Sequence, residues 1–365
     1  MQPVSLDLLV SASIPWAKDV IKNKILPIIE SSVRDYVRDT RASRFLNQSL
    51  ERFLSNVKGQ CSLVNTLAFQ NTPVELLDIY EPMSIYHDNE KKPYTCLIKS
   101  NADLVDQFNH ILITDSAGMG KSTIIKRIAL DCISSKDYIP IYIELRRAKD
   151  YDFSLQVKNQ LGLGEDVSDS CLKKLPFIYL FDGIDEIPQE IKSKTVNLLS
   201  IFANDFPDSK IIITSRHDNF LSELHGFSRF KIKPLETNQA YDLLRRYDGR
   251  GPISSQLIKG LRLENGHNLN EFLATPLYVS LLFCAYKFKP IIPRKKELFY
   301  SQVFDALYES HDLTKELGYV REKFSKLDST DFHQILRRLG FWCLKDGGKI
   351  EFTKDDLQIT LHNII

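Results

Sequence analysis

The chain has 365 residues, enough for two or three domains at roughly 150 residues each. Its 48 Lys and Arg residues and 47 Asp and Glu residues leave a net charge of +1, which excludes a polycation that holds nucleic acid by bulk attraction and an acidic disordered protein. Hydrophobic residues make up 43% of the chain, a fraction typical of a protein with a folded core.

Residues 1–75 are expected to form a helical domain. Apolar residues recur near the helical period over 20–37, with Pro27 as a kink or a new helix start, and again over 45–57. The region shows no catalytic pattern, so packing is its favoured role, and membrane binding by its basic face is the alternative. The first 15 residues lack the cationic start and apolar run of a secretory leader.

The cysteines do not form a pattern typical of a zinc site or a disulfide framework. They lack a C-x-x-C pair and a histidine at zinc spacing, and they are Cys61, Cys96, Cys132, Cys171, Cys284 and Cys343. We therefore expect reduced thiols in a cytoplasmic protein. Because no stretch approaches about 18 uncharged apolar residues, we expect neither a membrane-spanning helix nor a membrane partner.

From about residue 72, short apolar runs alternate with helical patterns, which indicates a parallel sheet with helical crossovers. The predicted strands lie at 111–114, 139–145, 177–181, 211–214 and, more weakly, 230–235. Several have no polar alternate position, as expected of strands buried on both faces of a sheet. We place this α/β core at residues 76–236.

After the core, the pattern is helical. We expect a helical domain at 237–310, with its helices at about 238–247, 269–288 and 296–310. Residues 311–365 then contain a predicted helix, a turn at Gly347 and Gly348, a short strand at 349–352 and a new helix start, an order typical of a winged-helix domain. The chain ends inside or just after this domain, and we expect it to be the N-terminal part of a longer protein.

The strongest functional motif is Asp115-Ser-Ala-Gly-Met-Gly-Lys-Ser-Thr123, which follows a predicted strand and begins a predicted helix. Its glycines would let backbone amides turn toward a phosphate, and the helix N-terminus would add its partial positive charge. Lys121 would reach the β- and γ-phosphates, and Ser122 would offer its hydroxyl to Mg²⁺. Asp115 replaces the first glycine of the strict G-x-x-x-x-G-K-[ST] pattern and leaves the shape of the turn open. The predicted nucleotide ligands are Asp115, Ser116, Ala117, Gly118, Met119, Gly120, Lys121, Ser122 and Thr123.

A second motif, Phe177-Ile-Tyr-Leu-Phe-Asp-Gly-Ile-Asp-Glu186, joins an apolar strand to acidic residues. Asp182 would hold Mg²⁺ through water at the carboxyl edge of the sheet. Asp185 and Glu186 follow, near enough to polarise an attacking water, and the sequence does not decide which of them is the base. Taken alone, the motif also fits a strand followed by the acidic first turn of a helix.

A third strand end places Thr214, Ser215 and Arg216 at the same edge. Since open parallel sheets bind ligands outside the carboxyl ends of their strands, Arg216 is predicted to act in catalysis as a sensor of the γ-phosphate. A solvated arginine is the alternative.

Together, residues 115–123, Asp182-Gly-Ile-Asp-Glu186 and Ile213-Thr-Ser-Arg216 resemble the NACHT family of STAND P-loop NTPases. The small residue after Asp182, followed by further acidic residues, separates this family from most AAA+ proteins, where Glu follows that Asp directly. The similarity extends upstream to Leu76-Leu-Asp-Ile-Tyr80 and downstream to Leu273-Ala-Thr-Pro-Leu-Tyr278. By this resemblance Pro276 would lie against adenine, although the sequence alone equally explains it as the first residue of a helix.

The resemblance implies an α/β P-loop NTPase, with a parallel sheet flanked by helices, between a helical domain and helical and winged-helix domains. It implies an ATP/ADP switch with Mg²⁺ that hydrolyses ATP slowly and forms a homo-oligomer when a protein or foreign molecule acts on a C-terminal sensor outside this chain. The implied role is innate immunity or programmed cell death, and antiphage defence is the analogy we favour.

Two other functions stay open. One is a DNA-directed AAA+-type or STAND regulator, in which a helix of the winged-helix domain would present basic residues to DNA. Residues 336–342 contain only two basic residues, Arg337 and Arg338, amid apolar residues expected to be buried. Nucleic acid is therefore not the expected partner. The other is a nucleotide-stabilised scaffold without turnover. Thr353-Lys-Asp-Asp356 matches a guanine-reading pattern, but a helix capping box explains it better.

Overall fold

The computed structural model describes residues 40–69, 72–87, 94–100, 102–148, 151–161, 169–263, 270–293, 295–313, 329–345, 347–348, 352 and 354–364. The predicted helix over 20–37 lies outside these ranges, as do most of the predicted strand at 349–352 and Thr353 of the predicted capping box. The chain divides into two compact units, Met1–Phe283 and Cys284–Ile365. The division into four domains stays a prediction.

A seven-stranded sheet forms the centre of the first unit. Its strands are β3 (Met83–His87), β4 (Tyr94–Ile98), β5 (His110–Thr114), β6 (Ile139–Glu144), β7 (Phe177–Asp182), β8 (Lys210–Ser215) and β9 (Ser228–Ile232). Their order in the sheet is β4-β3-β9-β5-β8-β7-β6. Strands β9, β5, β8, β7 and β6 are parallel, and they correspond to the strands predicted from the sequence. The predicted α/β class is confirmed.

Two antiparallel features were not predicted. Strand β3 pairs with β9 and with β4, which extends the sheet by a hairpin, and β1 (Leu63–Val64) pairs with β2 (Val74–Glu75) in a small separate sheet. Strands β3 and β4 are half-buried rather than continuous apolar runs, so a search for fully buried strands passes over them. The alternation of buried Met83 and Ile85 with less buried neighbours is the signal for β3.

Helices flank the sheet. In the first unit they are α1 (Thr40–Ser62), α2 (Leu76–Ile79), α3 (Ala102–Val105), α4 (Lys121–Ser135), α5 (Phe153–Leu161), α6 (Asp169–Leu172), α7 (Gln189–Asp205), α8 (Thr237–Tyr247), α9 (Pro252–Leu263) and α10 (Asn270–Leu273). Short 3₁₀ turns lie at Leu67–Phe69, Leu145–Arg147, Ile184–Glu186 and Asn219–Glu223. Helix α11 (Pro276–Phe288) crosses the boundary between the units.

The core lies between the central strands and the helices that pack on them. Every residue of β7 is buried, which is why its sequence is apolar up to Asp182. Helix α4 buries an isoleucine-rich face, and α1 packs against α4 and β6. The last helix of the predicted N-terminal region is therefore part of the same unit as the sheet.

The second unit contains α12 (Lys296–Leu313), α13 (Ser329–Lys345) and α14 (Lys354–Ile364). The predicted turn follows α13: Gly347 and Gly348 both have positive φ, and the Gly348 amide donates to the Cys343 carbonyl at 2.8 Å. The winged-helix assignment stays a prediction. Contrary to expectation, the apolar side chains of α13 are not uniformly buried, since Leu336 and Phe341 are 43% and 71% exposed. No helix within the described ranges has the length and apolar character needed to cross a membrane.

Candidate nucleotide-binding site

Three predicted motifs meet at the carboxyl edge of the sheet, where β5, β7 and β8 end side by side. The point of contact is Asp182 at the end of β7, and its Oδ1 accepts hydrogen bonds from the Ser122 hydroxyl at 3.0 Å and the Thr214 hydroxyl at 2.6 Å. Ser122 lies in the first turn of α4, directly after the glycine-rich loop, and Thr214 lies on β8. The parallel strand order therefore joins motifs that are far apart in sequence.

The loop between β5 and α4 depends on two glycines. Gly118 and Gly120 have φ values of 81° and 92°, a region that side-chain-bearing residues rarely adopt. A Cβ at Gly118 would lie 2.6 Å from the Leu277 Cβ, and a Cβ at Gly120 would lie 2.6 Å from the Met83 Cε. The loop is thus closely packed against α11 on one side and β3 on the other.

Lys121 crosses the same loop. Its Nζ donates to the carbonyls of Asp115 and Ser116, both at 2.8 Å, which holds the ammonium inside the curve of the loop. Burial lowers the pKa of Lys121, and the nearby carboxylates of Asp185 and Asp115 oppose that shift. An anion bound within the loop would act in the same sense as those carboxylates and stabilise the charged lysine.

Asp115 has a structural role that its place in the motif did not reveal. Its Oδ1 accepts from the Ser116 amide at 2.7 Å, and its Oδ2 accepts from the Ile232 amide of β9 at 2.9 Å. Asp115 is not among the residues with positive φ, so its backbone does not need the left-handed conformation that glycine permits. The side chain ties the loop to β9, a contact that glycine could not make.

The Asp182 carboxylate has a further partner that sequence analysis missed. Tyr142, on β6, donates its hydroxyl to Asp182 Oδ2 at 3.1 Å. Gly183, the small residue after Asp182, has a φ of 81° and donates its amide to the Thr214 hydroxyl oxygen at 3.0 Å. Glycine at this position therefore allows the chain to turn directly after the strand while it stays bonded to β8.

Both candidate bases are paired with arginines. Asp185 Oδ2 lies 3.0 Å from the Arg216 Nε, and Asp185 Oδ1 accepts from the Arg216 amide at 3.0 Å. Glu186 Oε2 lies 3.2 Å from Nη1 of Arg146, which follows β6. The Asp185 side chain is 14% exposed and that of Glu186 is 41% exposed. Arg146 was not predicted, although the carboxyl end of β6 lies at the same edge of the sheet as the carboxyl end of β8 that bears Arg216.

These residues border a cleft of about 690 Å³, within the usual size range for small-molecule sites. Most of the predicted site residues line it: Ala117, Gly118, Gly120, Lys121, Ser122, Thr123, Asp182, Asp185, Glu186, Arg216 and Pro276. Asp115, Ser116 and Met119 do not, and Met119 is buried. Pro276 begins α11, and its Cγ would lie 3.8 Å from a Cβ on Gly120.

Apolar side chains also line the cleft, and they come from elements before and after the core motifs. They include Leu63, Val64, Leu67, Leu76, Ile79, Leu235, Leu243, Tyr247 and Leu277. The Leu277 amide donates to the Gly118 carbonyl at 3.3 Å, so the start of α11 is bonded directly to the glycine-rich loop. The chain segment at 63–67, assigned from sequence to an N-terminal helical domain, thus contributes to the same cleft.

Comparisons with solved structures find distant likenesses. Among solved structures, domain III of the replication initiation protein DnaA from Thermotoga maritima is 17% identical with a TM-score of 0.33, covering 57% of this chain and 87% of its own. A Walker-type ATPase of Pyrococcus abyssi is 14% identical with a TM-score of 0.37, and the match covers 71% of this chain and 84% of the ATPase. The Aeropyrum pernix ORC1 protein in complex with DNA is 15% identical with a TM-score of 0.35, and the match covers 70% of this chain and 71% of ORC1.

A comparison with curated proteins gave no match. The family model of the NACHT domain matches residues 109–249. The matched segment contains the glycine-rich loop with Lys121, the strand that ends at Asp182, and Arg216 at the end of β8. Residues 109–249 are therefore similar to a NACHT domain, which is a P-loop NTPase domain.

Proposed function

We propose that the chain is an ATP-binding molecular switch that hydrolyses ATP slowly and forms a homo-oligomer when activated. The observation that carries the proposal is the convergence of Ser122, Asp182 and Thr214 beside a lysine-bearing glycine-rich loop. Such a loop presents backbone amides and the positive end of α4 to a phosphate chain. Lys121 would neutralise the β- and γ-phosphates.

The cleft has a polar and an apolar region that suit the two parts of a nucleotide. The phosphates would lie at the glycine-rich loop, and the adenine ring would lie among apolar residues such as Ile79, Leu243 and Pro276. Since Pro276 also begins α11, its position fits both of the roles left open for it.

The donor set at Ser122 and Asp182 fits Mg²⁺, because one hydroxyl and one carboxylate lie 3.0 Å apart. Within the described part of the chain, no group of three or more His, Cys, Asp or Glu side chains could hold a metal ion. A cation here would therefore share its ligands with phosphate oxygens and water, as Mg²⁺ commonly does. When bound, it would neutralise charge on the phosphates.

The pairing of the acidic residues supports slow hydrolysis. Asp185 holds Arg216 through two contacts, so we assign Asp185 to the placement of Arg216 near the γ-phosphate. Glu186, the more exposed carboxylate, is the better candidate to polarise the attacking water. Its bond to Arg146 occupies one of its oxygens and competes with a water for that carboxylate.

The contacts of α11 support a switch. Leu277 touches the glycine-rich loop, and Pro276 lines the cleft, so a nucleotide would contact both the core and the helix that follows it. A ligand can shift a conformational equilibrium only by its difference in affinity for the two states. We propose that ADP favours a closed monomer and ATP an open, oligomerising form. The trigger would act on a sensor outside this chain, in innate immune or antiphage defence signalling in the cytoplasm.

Nucleotide binding and phosphate release test this proposal. We expect Lys121→Ala to weaken binding of a fluorescent ATP analogue by about 100-fold, since hydrogen bonds to charged groups contribute about 1.5–3 kcal/mol each. Lys194→Ala, an exposed lysine on α7, is the matched control. Glu186→Gln should abolish slow phosphate release while binding is kept. Tight binding by Lys121→Ala, or release by Glu186→Gln at the wild-type rate, contradicts the proposal.

Oligomerisation needs its own measurement. Mass photometry of the full-length protein with its trigger should show a monomer in ADP and a larger assembly in ATP. A monomer in both nucleotides contradicts the switch and favours the nucleotide-stabilised scaffold.

A DNA-directed regulator is the second candidate, because Arg337 and Arg338 are both exposed on α13. If this alternative holds, the chain should bind duplex DNA with an affinity that falls steeply as salt rises. Salt-independent or undetectable binding excludes it.

A further inference from the structure

Tyr142 is buried on β6, at 4% exposure, and its backbone pairs with Leu180 of β7. Its hydroxyl nevertheless reaches past the strand pair to donate to Asp182 Oδ2 at 3.1 Å. Tyr142 does not line the cleft, so a ligand there would feel this tyrosine only through Asp182.

The three hydroxyl groups on Asp182 divide between its two oxygens. Ser122 and Thr214 donate to Oδ1, and Tyr142 alone among the described residues donates to Oδ2. A carboxylate turns easily about its last side-chain bond, whose torsion is broad. Rotation about that bond moves both oxygens together, so donors on the two oxygens restrain the same torsion. The Tyr142 hydroxyl restrains it through the oxygen that Ser122 and Thr214 do not contact.

We infer that Tyr142 is a positioning residue for the nucleotide-bound divalent cation: it holds the Asp182 carboxylate in the orientation that receives the cation or its water. This inference rests on the proposed function, because the cation would arrive with a nucleotide. Hydrogen-bond partners behind a metal ligand orient that ligand, and their loss typically lowers metal affinity by about 10–100-fold. Tyr142 acts on the carboxylate and not on the phosphates, so its effect should depend on the cation.

The chain offers a close control in Tyr179. It lies on the neighbouring strand β7, is fully buried, and has a hydroxyl without a hydrogen-bond partner in the described part of the structure. Tyr142→Phe and Tyr179→Phe therefore each remove one buried hydroxyl, and only the first removes a bond to Asp182. A general effect of losing a buried hydroxyl would appear in both variants.

The experiment measures cation coupling in the full chain. The affinity for mant-AMPPNP, a fluorescent non-hydrolysable ATP analogue, is determined in EDTA and in Mg²⁺, and Mn²⁺ binding in the presence of AMPPNP is followed by electron paramagnetic resonance. We expect Tyr142→Phe to weaken Mn²⁺ binding about tenfold and to reduce the Mg²⁺-dependent gain in analogue affinity similarly. Its affinity in EDTA should stay within about twofold of wild type, which also shows that the variant is folded.

Each other result has a distinct meaning. If Tyr142→Phe binds Mn²⁺ as tightly as Tyr179→Phe does, while Mg²⁺ raises the affinity of the wild-type protein for the analogue, the role proposed for Tyr142 is wrong and the proposed function stands. If Tyr142→Phe binds the analogue more weakly than wild type by the same factor in EDTA and in Mg²⁺, the inference is also overturned, because a structural defect would produce that result. If wild type binds no analogue or does not respond to Mg²⁺, the proposed function fails together with the inference.

Discussion

The side chain of Asp115 joins the glycine-rich loop to β9 through a 2.9 Å hydrogen bond from the Ile232 amide. The backbone amide of Asp115 also donates to the Ser215 carbonyl of β8 at 3.3 Å. The first residue of the loop is thus bonded to both strands that flank β5. The bond to β8 uses the backbone, which glycine would also supply, whereas the bond to β9 needs the aspartate side chain. The departure from the glycine of the strict pattern therefore adds one tie between the loop and the sheet.

Removing the Asp115 carboxylate should destabilise the fold. We expect Asp115→Ala to lower the free energy of unfolding by about 1–3 kcal/mol, because the Ile232 and Ser116 amides lose their acceptor. Asp115→Asn keeps one acceptor oxygen, so its free energy of unfolding should fall by less than that of Asp115→Ala. Urea denaturation followed by circular dichroism measures both. Wild-type stability in Asp115→Ala would show that water replaces the carboxylate without loss.

The two loop glycines should respond differently to a compensating mutation. Alanine at Gly120 would meet the Met83 Cε and Sδ, the far end of a flexible side chain, whereas alanine at Gly118 would meet the Leu277 Cβ itself. Met83→Ala should therefore relieve much of the clash of Gly120→Ala, and Leu277→Ala should relieve little of that of Gly118→Ala. Both alanines keep a positive-φ cost of about 1–2 kcal/mol.

Double-mutant cycles on thermal unfolding measure the two couplings. The Met83–Gly120 pair should show a compensating coupling of about 1 kcal/mol or more, and the Leu277–Gly118 pair a smaller one. Equal couplings in the two cycles would mean that the helix α11 moves away from the loop as readily as a methionine side chain does.

Loss of Arg146 should speed ATP hydrolysis modestly. The guanidinium competes with water for Glu186, and it is 51% exposed, so the pair contributes about 1 kcal/mol or less. Arg146→Ala should therefore raise the rate of phosphate release by about fivefold at most. Arg147→Ala is the control, since Arg147 pairs with Glu144 and not with Glu186. A slower Arg146→Ala enzyme would show that Arg146 assists catalysis.

The Cys61 thiol should report whether α1 stays packed on the core. Burial raises the pKa of Cys61 to about 12, and the side chain is inaccessible. At pH 8 the thiolate fraction is then about a thousandfold below that of a thiol at its usual pKa of 9.0. Iodoacetamide should label Cys343, which is partly exposed, well before Cys61. Mass spectrometry after tryptic digestion measures both, and early labelling of Cys61 would mean that α1 separates from the core.

The features that sequence analysis placed correctly are local in the chain. Strands β5 and β7 are almost wholly buried apolar runs, as expected of central parallel strands, and the glycine-rich loop and Asp182 lie at their carboxyl ends. Gly183 and Arg216 likewise come directly after strands, since β7 ends at Asp182 and β8 ends at Ser215. Their order in the chain therefore indicates a P-loop NTPase without knowledge of the strand order.

What the tertiary structure alone decides is which of these distant residues meet. Tyr142 reaches Asp182 across 40 positions, and Ile232 reaches Asp115 across 117. Nothing in a strand's own pattern states which strand lies beside it, because hydrophobic burial is not directional and any neighbour would satisfy it. The β3–β4 hairpin, the pairing of Glu186 with Arg146 and the place of residues 63–67 in the cleft all follow from that packing. The sequence by itself determined where the proposed phosphate site lies along the chain, and the arrangement of the strands decided which side chains meet there.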